Sequence, residues 1–394
     1  MPIPFPRAAT RALILTASVA VAPIAAQAGD YAGLTPIERL GKKIFFDTDL
    51  SEPAGQACAS CHVPENGFTG PSSVDDNPGA VEPGAVDGRF GNRKPPSAAY
   101  AAFSPIFHFD AAEKLYVGGL FWDGRAATLV DQAGQPFLNP VEMNNATSRD
   151  VCTKVARAGY ADAFRAVFGV ALDCFGDGGA GFASITTALA AYESSPEVNA
   201  FSSKYDYSLR GEVQLSALEK RGLDLFNAKK KGNCAACHSS GSQRIGTPPL
   251  FTDFTYDNIG LPANPASPFP SQARDFNPDG RNWKDKGLGA IVKEAKLDGA
   301  FKVPTLRNVA RVPETDFVRS YGHNGVLKGL KDVVHFYNTR DVKAAGWPSP
   351  EYPATMNADE LGDLKLTDAE EDAIVAFLNT LSDGFDPKAG KYRD

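Results

Sequence analysis

Two short runs in this 394-residue chain hold residue types whose spacing can do chemistry: Cys58-Ala59-Ser60-Cys61-His62 and Cys234-Ala235-Ala236-Cys237-His238. Cysteines at i and i+3, followed at once by histidine, are the attachment signature for c-type haem. Each sulfur can add to one vinyl group of the porphyrin, and the next residue then stands under the iron, where its imidazole nitrogen ligates. One such run could also be a redox pair or half a zinc site. Two of them, in a chain with only five histidines, leave few imidazoles to complete zinc sites and point instead to two covalently bound haem c groups. On this reading Cys58, Cys61, Cys234 and Cys237 hold the cofactors, His62 ligates the haem 1 iron and His238 the haem 2 iron.

The rest of the chain must export and position these groups. Residues 1–28 read as a secretory signal peptide, with Arg7 and Arg11 ahead of a small apolar run and an Ala26-Gln27-Ala28 cleavage pattern. The run is broken by Pro23 and is short for a span of about 20 residues. Cleavage is therefore expected, and the protein is expected to be periplasmic and not membrane-spanning after signal cleavage. An oxidising compartment would let the two remaining cysteines, Cys152 and Cys174, pair; two buried free thiols are the alternative. After cleavage 38 basic residues face 47 acidic ones, a net charge of −9. That balance argues against nucleic-acid binding.

Each motif follows the same kind of element. Thr35 can cap a helix, Pro36 suits its first position and Glu38 completes a capping box. Leu215-Ser216-Ala217-Leu218-Glu219 repeats the pattern before the second motif, and with Leu34 set on Leu215 the pairs Glu38/Glu219, Gly41/Gly222 and Phe45/Phe226 coincide. Each half then closes on an apolar helix, Ala183 to Tyr192 in the first and Thr367 to Leu381 in the second. The stretches 63–106 and 241–290 are rich in Gly, Pro and Asp but contain scattered aromatics, as ordered loops wrapping a cofactor would. The expected class is mainly α: two cytochrome c-like haem domains with long ordered loops, related by internal duplication, at 29–208 and 209–394.

With both halves in place the chain resembles the bacterial di-haem cytochrome c peroxidase and MauG superfamily. The resemblance rests on the two CxxCH units together with Phe121-Trp122-Asp123-Gly124-Arg125-Ala126, Pro140-Val141-Glu142-Met143, the run Phe301 to Asn308 (FKVPTLRN) and Tyr321-Gly322-His323-Asn324-Gly325. In the peroxidases a histidine before the segment Arg93-Lys94-Pro95-Pro96-Ser97 ligates the first iron at rest. Residues 63–107 contain no histidine, and His108 comes late, so the resemblance implies that the first iron is open. In MauG-like proteins a Trp, Gln, Pro and Glu occur in the order and spacing of Trp122, Gln132, Pro136 and Glu142. By that match Glu142 moves the proton as peroxide is cleaved, Gln132 hydrogen-bonds it, Pro136 restricts the pocket and Trp122 lies between the haems. At the second haem the peroxidases place a methionine where Tyr337 stands here, whereas MauG and MbnH-type enzymes use tyrosine. Met356 and His335 are the competing ligands.

The resemblance implies a peroxide-using di-haem enzyme that oxidises a side chain of a partner protein, with tryptophan the expected target, by long-range electron transfer. The run Tyr337 to Asp341 looks closer to MbnH-type enzymes, whose partner binds copper. A conventional peroxidase fed by a small cytochrome or cupredoxin is the second reading, and a non-enzymatic di-haem electron carrier the third. The family also holds a calcium ion between its domains. The asparagine expected to ligate it falls on Lys94, so either Asn92 substitutes or the lysine charge replaces the ion. His323 has no role on this reading, and Arg125 pairs with a propionate or with Asp123.

Overall fold

The fold starts where Thr35 stops the chain from fraying. In the computed structural model, which describes residues 33–242 and 246–392, the Thr35 hydroxyl accepts the Glu38 backbone N–H and Glu38 reaches back to Thr35. This fixes α1 (Pro36–Phe45), which buries Leu40, Ile44 and Phe45. The signal-peptide expectation for 1–28 lies outside the described residues. A long loop carries the first CxxCH on a single 3-10 turn, Cys58–Ser60. A hairpin of β1 (His108–Asp110) and β2 (Leu115–Val117) follows. Next come α2 (Leu129–Leu138), α3 (Ser148–Arg157), α4 (Ala163–Phe168) and α5 (Gly179–Glu193).

After α6 (Lys204–Leu209) the order recurs. Ser216 and Glu219 box the start of α7 (Ala217–Asn227), and the second CxxCH sits on the 3-10 turn Cys234–Ala236. The strand β3 (Tyr256–Asp257) pairs antiparallel with β4 (Phe301–Lys302), with α8 (Leu288–Val292) between them. Then come α9 (Leu330–Thr339), α10 (Asp368–Asn379), capped by Thr367 with Glu370, and a last hairpin, β5 (Phe385–Asp386) with β6 (Lys391–Tyr392). The fold is mainly helical, and no described helix is long and apolar enough to cross a membrane.

The helix pairs pack closely because two glycines leave room. A Cβ at Gly41 of α1 would fall on the Ala188 carbonyl oxygen of α5; a Cβ at Gly222 of α7 would fall on the Ala373 carbonyl oxygen of α10. One core gathers Ile44, Phe45, Phe137, Ile185 and Leu189. Another gathers Phe226, Phe251, Ile374, Phe377 and Leu381. A smaller cluster joins Leu261, Leu327 and Phe336, with Tyr337 and Trp347 packed on it. Cys152 and Cys174 form a disulfide.

The cores interlock. Leu250 and Phe254, late in the chain, belong to the first core. The Tyr100 hydroxyl donates to Asp383 at 2.7 Å, and Asn308 donates to the same carboxylate at 2.9 Å. Arg307, fully buried, makes a two-pronged pair with Asp206 at 2.7 and 2.9 Å and stacks its guanidinium on Phe201.

Candidate active site

Every residue assigned a haem-binding or peroxide-handling role from sequence lines one connected cavity, whose empty space is about 3360 Å3 with its open mouths included. The wall carries Cys58, Cys61 and His62, with Gln132, Pro136 and a Glu142 close enough to act on both thiols, and also Cys234, Cys237 and His238, with a Tyr337 on which the two thiols act. Trp122 also lines the cavity.

The two histidines are held alike. His62 Nδ1 lies 3.1 Å from the Phe68 carbonyl oxygen, and His238 Nδ1 lies 2.9 Å from that of Phe251. A carbonyl can only accept, so each Nδ1 carries the proton and donates, and each Nε2 keeps its lone pair. Phe68 and Phe251 both hold positive φ, 58° and 54°, an uncommon cost for aromatic residues, and both offer their carbonyls to these imidazoles. Burial, the largest cause, depresses the pKa of both imidazoles. It also drives up the thiols, Cys234 and Cys237 to about 12.

Glu142 follows α2 in the turn after Asn139. Burial lifts its carboxyl above the ordinary range, against the nearby Arg125 charge and a hydrogen bond from Asn139. Gln132 and Pro136 are one turn apart on α2. Trp122 is fixed at three points of its surroundings: its indole N–H donates to the Lys94 carbonyl at 2.8 Å, its own carbonyl accepts from the Lys302 amide at 2.8 Å, and the neighbouring Asp123 is clamped by Arg93 at 2.6 Å. Arg93 also grips Asp285 at 2.6 and 2.7 Å. Arg125 pairs with Asp123 at 3.0 Å and covers the Phe121 ring.

Tyr337 projects from α9 towards the second motif. Its hydroxyl pKa is raised by burial first and then by Cys237, Asp257 and Cys234. A bare phenolate is therefore unfavourable there unless a cation meets it. The competing ligands are placed elsewhere. His335, on the outer side of α9, bonds Glu371 at 2.9 Å; Met356 and His108 are outside the cavity wall.

Several buried groups went unnoticed in the sequence because their partners are distant in the chain. The Arg93–Asp285 pair spans 192 residues. Lys302, its pKa lowered by burial to about 8, lies in the cavity wall. Glu193, pushed up to about 8 by burial, faces the first motif. No local spacing marks any of them.

A family model described as di-haem cytochrome c peroxidase matches residues 36–214. The chain is 39% identical over 359 residues to the methylamine utilization protein MauG of Paracoccus denitrificans, covering 87% of this chain and 88% of that protein. The chain belongs to the di-haem cytochrome c peroxidase family. Among solved structures, the diheme peroxidase BthA of Burkholderia thailandensis superposes with TM-score 0.76 at 33% identity, covering 93% of this chain and 92% of that one. A MauG-like protein associated with microbial copper homeostasis gives TM-score 0.65 at 27% identity, covering 89% and 90%. Membership of the di-haem cytochrome c peroxidase family makes the chain a di-haem peroxidase-type oxidoreductase and implies two haem groups.

The residues present fit two haems: four thiols and two imidazoles, each held through Nδ1 by a backbone carbonyl, share the wall of one cavity. At position 94 they offer no ligand for a calcium ion. At Lys94 the buried ammonium donates to the Thr69 hydroxyl at 2.7 Å and approaches the Pro95 carbonyl at 3.5 Å. A hard cation would have to displace that charge from the oxygens.

Proposed function

We propose that this chain is a periplasmic, MauG-like di-haem enzyme that uses hydrogen peroxide to oxidise a side chain of a partner protein, tryptophan being the expected target, over a distance. The observation that carries the reading is Tyr337 on the cavity wall beside Cys234 and Cys237, where a phenolate would favour higher oxidation states and a methionine would not. Residues 29–208 and 209–394 are on this reading two cytochrome c-like domains related by duplication; the matching glycine contacts of α1 with α5 and α7 with α10 support it.

Haem c attached through the four thiols would supply the iron redox chemistry that peroxide reduction requires. The chain's own residues do the rest. Glu142, its carboxyl favouring the protonated form more than an exposed glutamate does, holds a proton on a carboxyl oxygen facing the cavity and passes it to a leaving oxygen. Gln132 orients a small oxygen ligand by hydrogen bonding, and Pro136 narrows the space beside it. Trp122, anchored through its N–H, offers a fixed aromatic path between the two ends. Tyr337 closes the second end with its phenolic oxygen.

A second reading, a di-haem peroxidase drawing electrons from a small cytochrome or cupredoxin, is favoured by the likeness to the diheme peroxidase BthA. Resting-state EPR of the holoenzyme separates the two. The preferred reading expects one high-spin five-coordinate centre and one low-spin His/Tyr centre. A His/Met or His/His second centre, with rapid turnover of a reduced small cytochrome, supports the peroxidase instead.

A further inference from the structure

Behind Tyr337, on the side of α9 away from the cavity, the aromatic packing continues to the surface. The Phe336 ring lies 6.3 Å from that of Tyr337 and 5.2 Å, edge-on, from the indole of Trp347. Phe336 is completely buried, whereas Trp347 is partly exposed. Its indole N–H is not left to solvent chance: it donates to the Thr339 hydroxyl at 3.0 Å, and that hydroxyl in turn donates to the His335 carbonyl at 2.7 Å, back on α9. The His335 ring lies 6.0 Å from the same indole. Tyr337 and Trp347 thus pack on the same small cluster, one facing the cavity and the other facing water.

Trp347 follows a single 3-10 turn, Lys343–Ala345, after α9. Packing alone would be served by any apolar residue covering Phe336. An indole held through its N–H and packed, through Phe336, behind the Tyr337 that lines the cavity can also give up an electron, and tryptophan is among the most readily oxidised side chains. We propose that Trp347 is the surface electron relay of this enzyme: a donor docked outside passes electrons to Trp347, and from there across Phe336 to the Tyr337 end of the cavity.

The balance is closed by the oxidant already named. Hydrogen peroxide takes up two electrons and two protons and leaves as two waters. For each electron, the Trp347 indole is oxidised by one electron and releases its Nε1 proton to water through the Thr339 hydroxyl shell. It is restored by one electron and one proton from the donor. When no donor is present, the indole gives up a second electron to the same peroxide and takes an oxygen from water with loss of two protons, so that one peroxide converts one indole C–H to C–OH with net release of one water.

The relay rests on the peroxide-using function proposed above, and the test separates the two. The holoenzyme, with ring-deuterated tryptophan, is mixed with hydrogen peroxide without any donor and freeze-quenched for EPR; the same sample is digested and mapped by mass spectrometry. The relay expects a tryptophan radical whose hyperfine structure narrows on deuteration, and oxygen added at Trp347. In Trp347→Phe both signals are lost while the haem absorbance still responds to peroxide, and oxidation of an external donor slows by about tenfold or more. Trp283→Phe, which alters a partly exposed tryptophan packed on Phe269, leaves all of these unchanged. A haem response to peroxide with Trp347 unmodified, and with the same donor rate in Trp347→Phe, overturns the relay and spares the function. No haem response to peroxide overturns both. The wild-type mapping decides the matter even if a variant loads haem poorly.

Discussion

The indole N–H of Trp122 donates to the backbone carbonyl of Lys94 at 2.8 Å, while the Lys94 side chain buries its ammonium against Thr69. One residue therefore anchors Trp122 in the cavity wall and places a charge in the same wall, where it acts on His62.

Lys94 carries a pH signature. Burial, helped by the Arg319 charge, lowers its pKa from 10.5 to about 7. The folded state then binds fewer protons than the unfolded chain between about pH 7 and 10, so stability rises with pH across that window, and the cost is complete below it. Thermal unfolding followed against pH should show this rise. In Lys94→Met the rise should flatten, with a higher melting temperature near pH 6. Chelation by EDTA should leave the melting temperature and the haem spectrum of the native protein unaltered, because at position 94 a buried ammonium stands in place of an oxygen ligand.

Glu142→Gln keeps the shape of the site and removes its movable proton. The rate at which peroxide changes the haem spectrum should fall by about 10²- to 10⁴-fold, with haem content unaffected. A loss smaller than tenfold would mean that another carboxyl in the same wall, Glu82 or Glu193, carries the proton.

Tyr337→Met exchanges a phenolic oxygen for a thioether. The reduction potential of the second centre should rise, since methionine favours ferrous iron, and oxidation of a partner protein should be lost while peroxide is still consumed. Redox titration and partner modification, measured on the same preparation, check both halves of the expectation.

Arg307→Met leaves the Asp206 carboxylate buried without its partner, in a position where both side chains are fully enclosed. Breaking such a pair from one side costs about 3–5 kcal/mol. Denaturant unfolding should show that loss, and Asp206→Asn combined with Arg307→Met should recover part of it. Full stability in the single variant would contradict the account of this pair.

What could be read from the sequence was local. Thr35 with Glu38 and Ser216 with Glu219 announce their helices because a capping box is complete within four residues. The CxxCH runs announce their chemistry for the same reason, and the cavity gathers them with Glu142 and Tyr337 as the register of the motifs implied. α5 begins at Gly179, four residues before the expected Ala183, because glycine and alanine at its start give no start signal. The hairpin of β1 and β2 is short and is decided by packing, whereas Thr128 with Asp131 boxes the start of α2 and Thr147 caps α3, local signals that the sequence carries as plainly as those of α1 and α7. The Arg93, Lys302 and Arg307 partnerships arise from contacts distant in the chain, which no single stretch can reveal.

The shared carboxylate of Asp383 has a practical meaning for dissection. Tyr100 reaches it from the early chain and Asn308 from the late chain, and Leu250 and Phe254 fill a core built mostly of earlier residues. A fragment ending near Arg210 would lose its acceptor for Tyr100 and leave a gap in its interior. Loading a single haem onto an isolated half should therefore give an insoluble product, and studies of one centre at a time are better made by removing thiols in the intact chain.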